Sequence, residues 1–176
     1  GWYQFGRGTE PVRNEKAASG VGAIKVDRTT ELTNNYQGAY IVLGDNTTQY
    51  DLNTSKQYVV TFKYYIEKSG TKDLKIAFAS AGRYNYFQSA ATLTDSFVVG
   101  IMEKEGTWKT GALILDATKC KRRNNYLYLT ISSGNEGIYY IDDIHLTELE
   151  EGYTGYSVDN GGCSNVPMYV TGAVGS

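Results

Sequence analysis

The chain has 176 residues, and 17 Lys and Arg against 19 Asp and Glu give it a net charge of −2 and an isoelectric point near 5.5. This length suits one domain with a sizeable core. The near balance of charge argues against a nucleic-acid or anionic-membrane partner. Because no apolar run approaches the roughly 18 residues that span a bilayer, we expect no membrane insertion.

The composition favours β structure. The chain contains 16 Tyr and 20 Gly but only 2 Pro. Tyr favours strands and Gly favours turns. A surplus of Tyr also supplies flat amphipathic surfaces of the kind that sugar-binding proteins use, although Tyr-rich sheets are common in secreted β proteins of any function.

Alternation of apolar and polar residues predicts the strands in chain order. Residues 2–8 are aromatic and form either an edge strand or a loop over the sheets, and residues 11–18 are polar and predict a loop. The most regular pattern puts Tyr58, Val60 and Phe62 on one face of a strand. Predicted strands cover residues 21–27, 36–43, 57–67, 73–79, 96–102 and 107–115.

Residues 125–149 predict two further strands joined by a tight turn. Leu127 and Leu129 point to one side of the first strand, and Tyr126 and Tyr128 point to the other. Together with the earlier segments this makes about eight strands and no helical periodicity, which is typical of an antiparallel β-sandwich.

The last predicted strand contains an irregularity at two carboxylates. Ile144 and Leu146 share one face, but Ile141 falls on the other parity, so we infer a β-bulge near Asp142 and Asp143. Carboxylates beside a bulge suit either a hard cation or a clasp on backbone N–H groups. The alternative is that both are solvated charges at a strand edge.

The end of the chain and its two cysteines leave alternatives open. Residues 150–176 are rich in Gly and predict a tail or a linker to a further module. Cys120 and Cys163 lack metal-ligand spacing, and they either pair in an oxidising compartment, which would tie the tail back, or remain free thiols.

The motifs of residues 1–149 occur in the same order as in jelly-roll carbohydrate-binding modules of the group that includes families 4, 9, 16 and 22. The resemblance implies a jelly roll rather than an immunoglobulin-like sandwich. Such modules usually begin with a strand before their "G-W", so that strand is expected either outside this sequence or replaced. The similar segments are Gly1-Trp2 ("G-W"), residues 19–26 ("S-G-x-x-A-L-x-V"), residues 57–66 ("Y-x-L-S-F-x-x-K"), residues 106–109 ("G-x-W") and the closing Y-Y-I-D-D-I-H-L of residues 139–146.

The same resemblance implies two roles for individual residues. A structural calcium ion is typical of these modules, and the best matches to its ligands are Asp142 and then Asp143. Trp108 resembles a structural Trp of these modules and is expected to lie mostly in the core.

Aromatic residues that the alternation leaves off the core are the candidates for stacking on a pyranose ring, with polar side chains at the rim. The strongest group is the loop R-Y-N-Y-F-Q, because a loop without a function seldom holds three aromatic residues in four. For any single Tyr the plain alternative is packing on a sheet face. The candidates are Tyr65, Tyr126 and Tyr128 in strands, Arg83, Tyr84, Asn85, Tyr86 and Gln88 in the loop, and Trp2 as a further platform.

No catalytic motif accompanies these residues. His145 is the single His and has no nucleophile motif beside it, and most carboxylates sit at predicted turns. We therefore expect non-catalytic binding of a glucan- or xylan-type polysaccharide by a secreted or cell-surface module with further modules in its parent chain. A protein-binding or structural adhesin is the alternative, and an enzyme ranks third.

Overall fold

The computed structural model describes residues 1–5, 8–29, 38–42, 52–81, 91–119, 126–132 and 137–149. This part of the chain contains strands and one short 3₁₀ turn, Ala117–Lys119, and none of its elements is a helix with the length and apolar character to cross a membrane. The strands are β1 Tyr3–Phe5, β2 Thr9–Arg13, β3 Gly22–Asp27, β4 Gly38–Val42, β5 Gln57–Lys68, β6 Leu74–Ala81, β7 Ala91–Thr92, β8 Phe97–Val99, β9 Trp108–Asp116, β10 Tyr126–Ser132 and β11 Ile138–Glu148.

The strands form two antiparallel sheets that enclose one core. The first sheet has the order β1-β4-β10-β6-β7, and β8 also pairs with β6. The second sheet has the order β2-β3-β11-β5-β9. The chain crosses from β3 in the second sheet to β4 in the first and returns at β5. Repeated crossing of this kind is the connectivity of a jelly roll, so the prediction of a jelly-roll β-sandwich is confirmed.

The core lies where the inward faces of the two sheets meet. On β5 and β10 every second side chain points into the core, as the pleat of a strand requires. Val59 and Tyr128, which point to the outer faces, are buried as well. Burial of these side chains removes most of their apolar surface from water, which is the main favourable contribution to folding. The inward set of these two strands is Tyr58, Val60, Phe62, Tyr64, Ile66, Leu127, Leu129 and Ile131.

The predicted loop over residues 11–18 is wrong at its start, because β2 occupies Thr9–Arg13. Pro11 obscured this strand in the sequence. A proline cannot donate to the ladder of a sheet and is confined to edge strands, and β2 is the edge of the second sheet. Within residues 2–8, Tyr3–Phe5 form the edge strand β1. β7 has only two residues, too few for any periodicity.

The bulge in the last strand is confirmed. Asp142 pairs with Lys63 and His145 pairs with Thr61, so β11 has two residues where β5 has one. Asp143 has a φ of 49°, a left-handed conformation that few residues other than glycine adopt. The extra residue lets Ile141 and Leu146 both face the core in spite of their opposite parity.

Two predictions about the end of the chain fall outside the described residues. Cys120 and Cys163 both lie there, and so do residues 150–176. The disulfide, with its alternative of two free thiols, and the tail or linker stay predictions.

Candidate functional site

Four tyrosines lie side by side on the outer face of the first sheet. The Tyr40 ring centre is 5.3 Å from that of Tyr3, 5.4 Å from that of Tyr126 and 5.5 Å from that of Tyr128. Tyr126 and Tyr128 stack on one another at 6.2 Å. We call these four residues the tyrosine cluster.

Strand register builds the tyrosine cluster. Tyr3 of β1, Tyr40 of β4 and Tyr128 of β10 are direct cross-strand partners, so their side chains form a row across three strands. Tyr126 precedes Tyr128 by one period of the strand and therefore lies on the same face. Leu127 and Leu129 alternate with these tyrosines and point into the core. The tyrosine rings could therefore turn inward only if the register of the whole strand shifted by one residue.

The exposed fraction of the side chain differs among the four members of the tyrosine cluster. Tyr128 is 3% exposed and Tyr3 is 53% exposed, and Tyr40 and Tyr126 lie between these limits. Beyond Tyr128 the neighbouring strand β6 presents the small side chains of Ala77 and Ala79 on the same face. The tyrosine rings therefore project further from the sheet than the neighbouring alanine side chains of β6.

The outer face of the first sheet carries little charge. Among its described side chains Lys75 is the one ionised group, and Thr92 and Thr130 add hydroxyls. Thr130 donates its hydroxyl hydrogen to the carbonyl of Ala77 at 3.1 Å. Aromatic faces, phenol and threonine hydroxyls and low charge suit an uncharged ligand with both C–H and O–H surfaces.

The predicted loop group adjoins this face in the chain but lies outside the described residues. The chain leaves β6 at Ala81, whose Cα pairs with Tyr126 of the tyrosine cluster. The loop candidates therefore stay predictions, and they are Arg83, Tyr84, Asn85, Tyr86 and Gln88.

Tyr65 belongs to a second aromatic group on the outer face of the other sheet. Its ring centre lies 5.4 Å from that of Trp108 and 6.4 Å from that of Tyr140. The interpretation of Trp108 as a core residue is wrong, because Trp108 pairs across strands with the outward-facing Tyr65 and must share its face. The structure thus places Tyr65 on the opposite sheet from Tyr126 and Tyr128.

Residues 14–20, which we call the strap, lie against this second aromatic group. The Nζ of Lys16 sits 4.4 Å from the centre of the Tyr65 ring, a cation–π contact that occupies one face of that ring. Glu15 accepts hydrogen bonds from Lys25 at 2.9 Å and from the Tyr140 hydroxyl at 3.4 Å. The bond with Glu15 raises the pKa of Lys25, and burial raises the pKa of Tyr140, so both stay protonated near neutral pH.

Asp142 fastens the strap to the bulge of β11. Its Oδ2 accepts hydrogen bonds from the backbone N–H of Ala18 at 2.8 Å and of Ser19 at 3.2 Å. Its Oδ1 accepts from the N–H of Asp143 at 2.8 Å, and the hydroxyl of Ser19 donates to Asp143 Oδ1. Asp142 thus holds backbone N–H groups of the strap, which is the backbone clasp that the sequence suggested as one role for these carboxylates.

The same carboxylates were the predicted calcium ligands. Calcium takes six to eight oxygen ligands, and no group of three or more His, Cys, Asp or Glu side chains comes together within the described ranges. Asp142 and Asp143 would therefore need further oxygens from elsewhere in the chain or from water, and calcium binding stays a prediction.

Replacing Asp142 with asparagine is expected to lower the free energy of unfolding by about 1–3 kcal/mol, because both carboxylate oxygens accept N–H groups and an amide must point its own N–H₂ at one of those donors. The measurement is thermal unfolding, with hydrogen exchange at the Ala18 and Ser19 amides.

Asp143→Asn is the matched control and should cost less, since Asp143 accepts one side-chain bond. Equal melting temperatures for wild type and Asp142→Asn would contradict the clasp. The same melts with added calcium or EDTA test the calcium prediction, because a ligand that binds the folded state raises the melting temperature.

Trp2 lies apart from the tyrosine cluster. It precedes Tyr3, whose ring faces out, and its own ring packs partly against the core. It also lines an open depression of about 530 Å³ at the bulge of β11, together with Arg13, Ile144 and His145. Among the described stacking candidates, the structure therefore does not bring this predicted platform together with Tyr65, Tyr126 or Tyr128.

Tyr3 and Tyr40 are cluster residues that the sequence candidates omitted. The alternation in β4 already put Tyr40 on the face opposite to Ile41, which was the available signal. The sequence pattern did not show that β4 is the neighbour of β10, because the two strands are separated by more than eighty residues in the chain.

The fold is similar to the β-sandwich of several solved structures that are described as carbohydrate-binding modules. The chain is similar to the structure called "Family 16 Carbohydrate Binding Module-2", with a TM-score of 0.53 and 11% identity over 84% of this chain and 90% of that one. It is also similar to the CBM22-1 xylan-binding domain from Paenibacillus barcinonensis Xyn10C, with a TM-score of 0.54 and 14% identity over 86% of this chain and 88% of that one.

A third similar structure carries a further module. The CBM22-1–GH10 modules of Clostridium thermocellum Xyn10B, complexed with xylohexaose, match with a TM-score of 0.55 and 18% identity over 90% of this chain and 28% of that one. No family model and no curated protein matches the sequence. At such low identities the likeness to these structures establishes the fold alone.

Proposed function

We propose that this chain is a non-catalytic module that binds a polysaccharide through the tyrosine cluster. The observation that carries the proposal is the placement of four contiguous Tyr rings on an outer sheet face of low charge. A pyranose presents axial C–H groups that pack on an aromatic ring and equatorial hydroxyls that bond to the rim. The more accessible rings, Tyr3, Tyr40 and Tyr126, lie on three neighbouring strands, which suits an extended chain of sugars rather than one sugar. Tyr128 is 3% exposed and supports the rings of Tyr40 and Tyr126.

The names of the similar structures support the class of ligand. One is described as xylan-binding, and another was solved with xylohexaose. A xylan- or glucan-type chain is uncharged, which agrees with the single ionised group, Lys75, among the described side chains of this face. We expect weak affinity, because Tyr rings and solvent-exposed hydrogen bonds bury little area.

Such a module acts by raising the local concentration of whatever is attached to it. Polysaccharides of this type occur outside the cell, so we propose that the protein is secreted or displayed at the cell surface. We also propose that further modules of its parent chain, such as a catalytic module, are the parts that it brings to the polysaccharide.

Affinity electrophoresis against a panel of polysaccharides tests the proposal. We expect one uncharged glycan to retard the wild-type chain, Tyr126→Ala to remove most of the retardation and Trp108→Ala to leave it unchanged, because Trp108 lies on the opposite sheet. If Tyr126→Ala binds the glycan as tightly as wild type, the binding site does not include the tyrosine cluster. A chain that no glycan retards but that binds a protein partner would support the adhesin alternative.

A further inference from the structure

Five strands form the edges of the two sheets in the described part of the chain, and one of them lacks, over most of its length, the usual protection against pairing with another chain. β1, β7 and β8 at the edges of the first sheet have two or three residues each. β2 carries Glu10, Pro11 and Arg13. Short strands, charges and proline are the common means of protecting an edge. β9, by contrast, has nine residues and no proline, and its side chains from Thr110 to Leu115 are all uncharged.

The backbone of β9 shows which of its groups face outward. The N–H of Asp116 donates to the carbonyl of Leu93 at 2.8 Å and therefore points away from β5. In an antiparallel pair, successive residues alternate in the side to which their N–H and C=O point. Trp108, Thr110 and Ala112 share the parity of Asp116, and β5 is the one described strand that pairs with them.

The side chains along this edge also lack repulsive groups. Lys109, the charged residue nearest its centre, forms an ion pair with Glu103 at 3.1 Å. Ile114 is 41% exposed on the same face as Trp108 although it is a large aliphatic residue. Leu93 and Thr94 already pair with Asp116 and Leu115 at the end of β9. Within the described residues the outward backbone groups of Trp108, Thr110 and Ala112 stay open, and an exposed isoleucine close to such a run is a feature that β proteins normally avoid.

We propose that β9 pairs antiparallel with β9 of a second copy of this chain, about a two-fold axis at Thr110. In this register Thr110 faces its own counterpart and Trp108 faces Ala112, and about six backbone hydrogen bonds join the strands. A large ring opposite a methyl group avoids a clash, and Thr–Thr pairs are favourable across strands. No like charges face each other, so the edge is complementary to itself, as a two-fold contact requires.

The dimer would continue the second sheet across both copies. A two-fold axis between antiparallel strands is perpendicular to the sheet, so both first sheets lie on the same side of it. The two tyrosine clusters then face the same direction. Provided that the cluster binds polysaccharide as proposed above, a dimer would hold one chain at two places and gain avidity without new contacts.

Sedimentation equilibrium without any glycan tests the dimer independently of the sugar-binding proposal. We expect wild type to approach twice the monomer mass as its concentration rises toward ~1 mM. Thr110→Lys, which places two like charges at the axis, should stay monomeric, and so should Ala112→Pro, whose lost N–H makes no bond to β5. The matched control is Thr147→Lys, on the same sheet face but on the central strand β11, which should dimerise like wild type.

A cross-link fixes the register. Cα atoms of a hydrogen-bonded antiparallel pair lie about 5.5 Å apart, within the range that a disulfide spans. Thr110→Cys should therefore oxidise to a dimer whose link maps to position 110, and Thr147→Cys should not. A wild type that stays monomeric at every concentration, or a dimer that Thr110→Lys leaves intact, would overturn the proposal.

Discussion

Tyr40→Ala should weaken binding of the recognised polysaccharide about tenfold or more, which corresponds to about 1.4 kcal/mol. Tyr40 is the one ring that contacts all three other members of the tyrosine cluster, at 5.3 to 5.5 Å between ring centres. Its loss removes one stacking surface and the lateral support of its neighbours, and aromatic pairs contribute roughly 0.5–1.5 kcal/mol each beyond their buried area. Isothermal titration calorimetry with the glycan identified by electrophoresis measures the change.

Tyr40→Phe is the matched control for this prediction. It keeps the ring and loses the hydroxyl, so its affinity should fall by about one neutral hydrogen bond at most, roughly 0.5–1.5 kcal/mol. If Tyr40→Ala binds as tightly as wild type while its unfolding temperature is unchanged, the cluster is not the binding surface, and the function proposed for this face is wrong.

Gly111→Ala should be the most destabilising small substitution on β9, at about 1–3 kcal/mol. A Cβ at this position would lie 2.6 Å from Cζ of Phe62, 2.7 Å from its Cε2 and 3.0 Å from Cζ of Phe97. Phe62 is fully buried and packs edge-on against the partly buried Phe97 with ring centres 5.2 Å apart, so the Phe62 ring has little space to withdraw. Differential scanning calorimetry should show a fall in melting temperature of several degrees.

A double-mutant cycle checks the cause of that loss. Phe62→Leu shortens the side chain that a new methyl group would meet, so Gly111→Ala should cost less in the Phe62→Leu background than in wild type. Equal costs in the two backgrounds would show that the clash with Phe62 does not explain the effect. Thr110→Ala, one residue earlier and facing outward, should change stability little.

The parts of this fold that the sequence predicted are those in which one face of a strand is buried. In β5 and β10 the contrast between core and solvent recurs every second residue, and the structure confirms both inward sets. The bulge was predictable for the same reason, because the parity of Ile141 conflicts with that of Leu146 and an extra residue is the simplest remedy.

The grouping of the candidate residues was not predictable in the same way, because alternation gives the face of a strand but not its neighbours. Tyr65 and Tyr126 both read as outward, yet they lie on opposite sheets, since β5 pairs with β9 and β11 while β10 pairs with β4 and β6. A resemblance to other modules suggested that Trp108 was buried, and only its cross-strand pairing with Tyr65 showed otherwise. Local pattern and long-range pairing are therefore separate sources of information in this chain.

The location of Tyr126 and Tyr128 on β10 has a consequence for how ligand preference can evolve. β10 lies at the centre of its sheet, and Leu127 and Leu129 fix its register by packing into the core. Outward positions with exposed or partly exposed side chains, such as Lys75 of β6 and Tyr126 of β10, can therefore accept new side chains while the scaffold stays fixed, whereas the buried Tyr128 cannot. Under the proposed function, a single substitution at an exposed outward position would alter glycan preference and leave the core contacts unchanged.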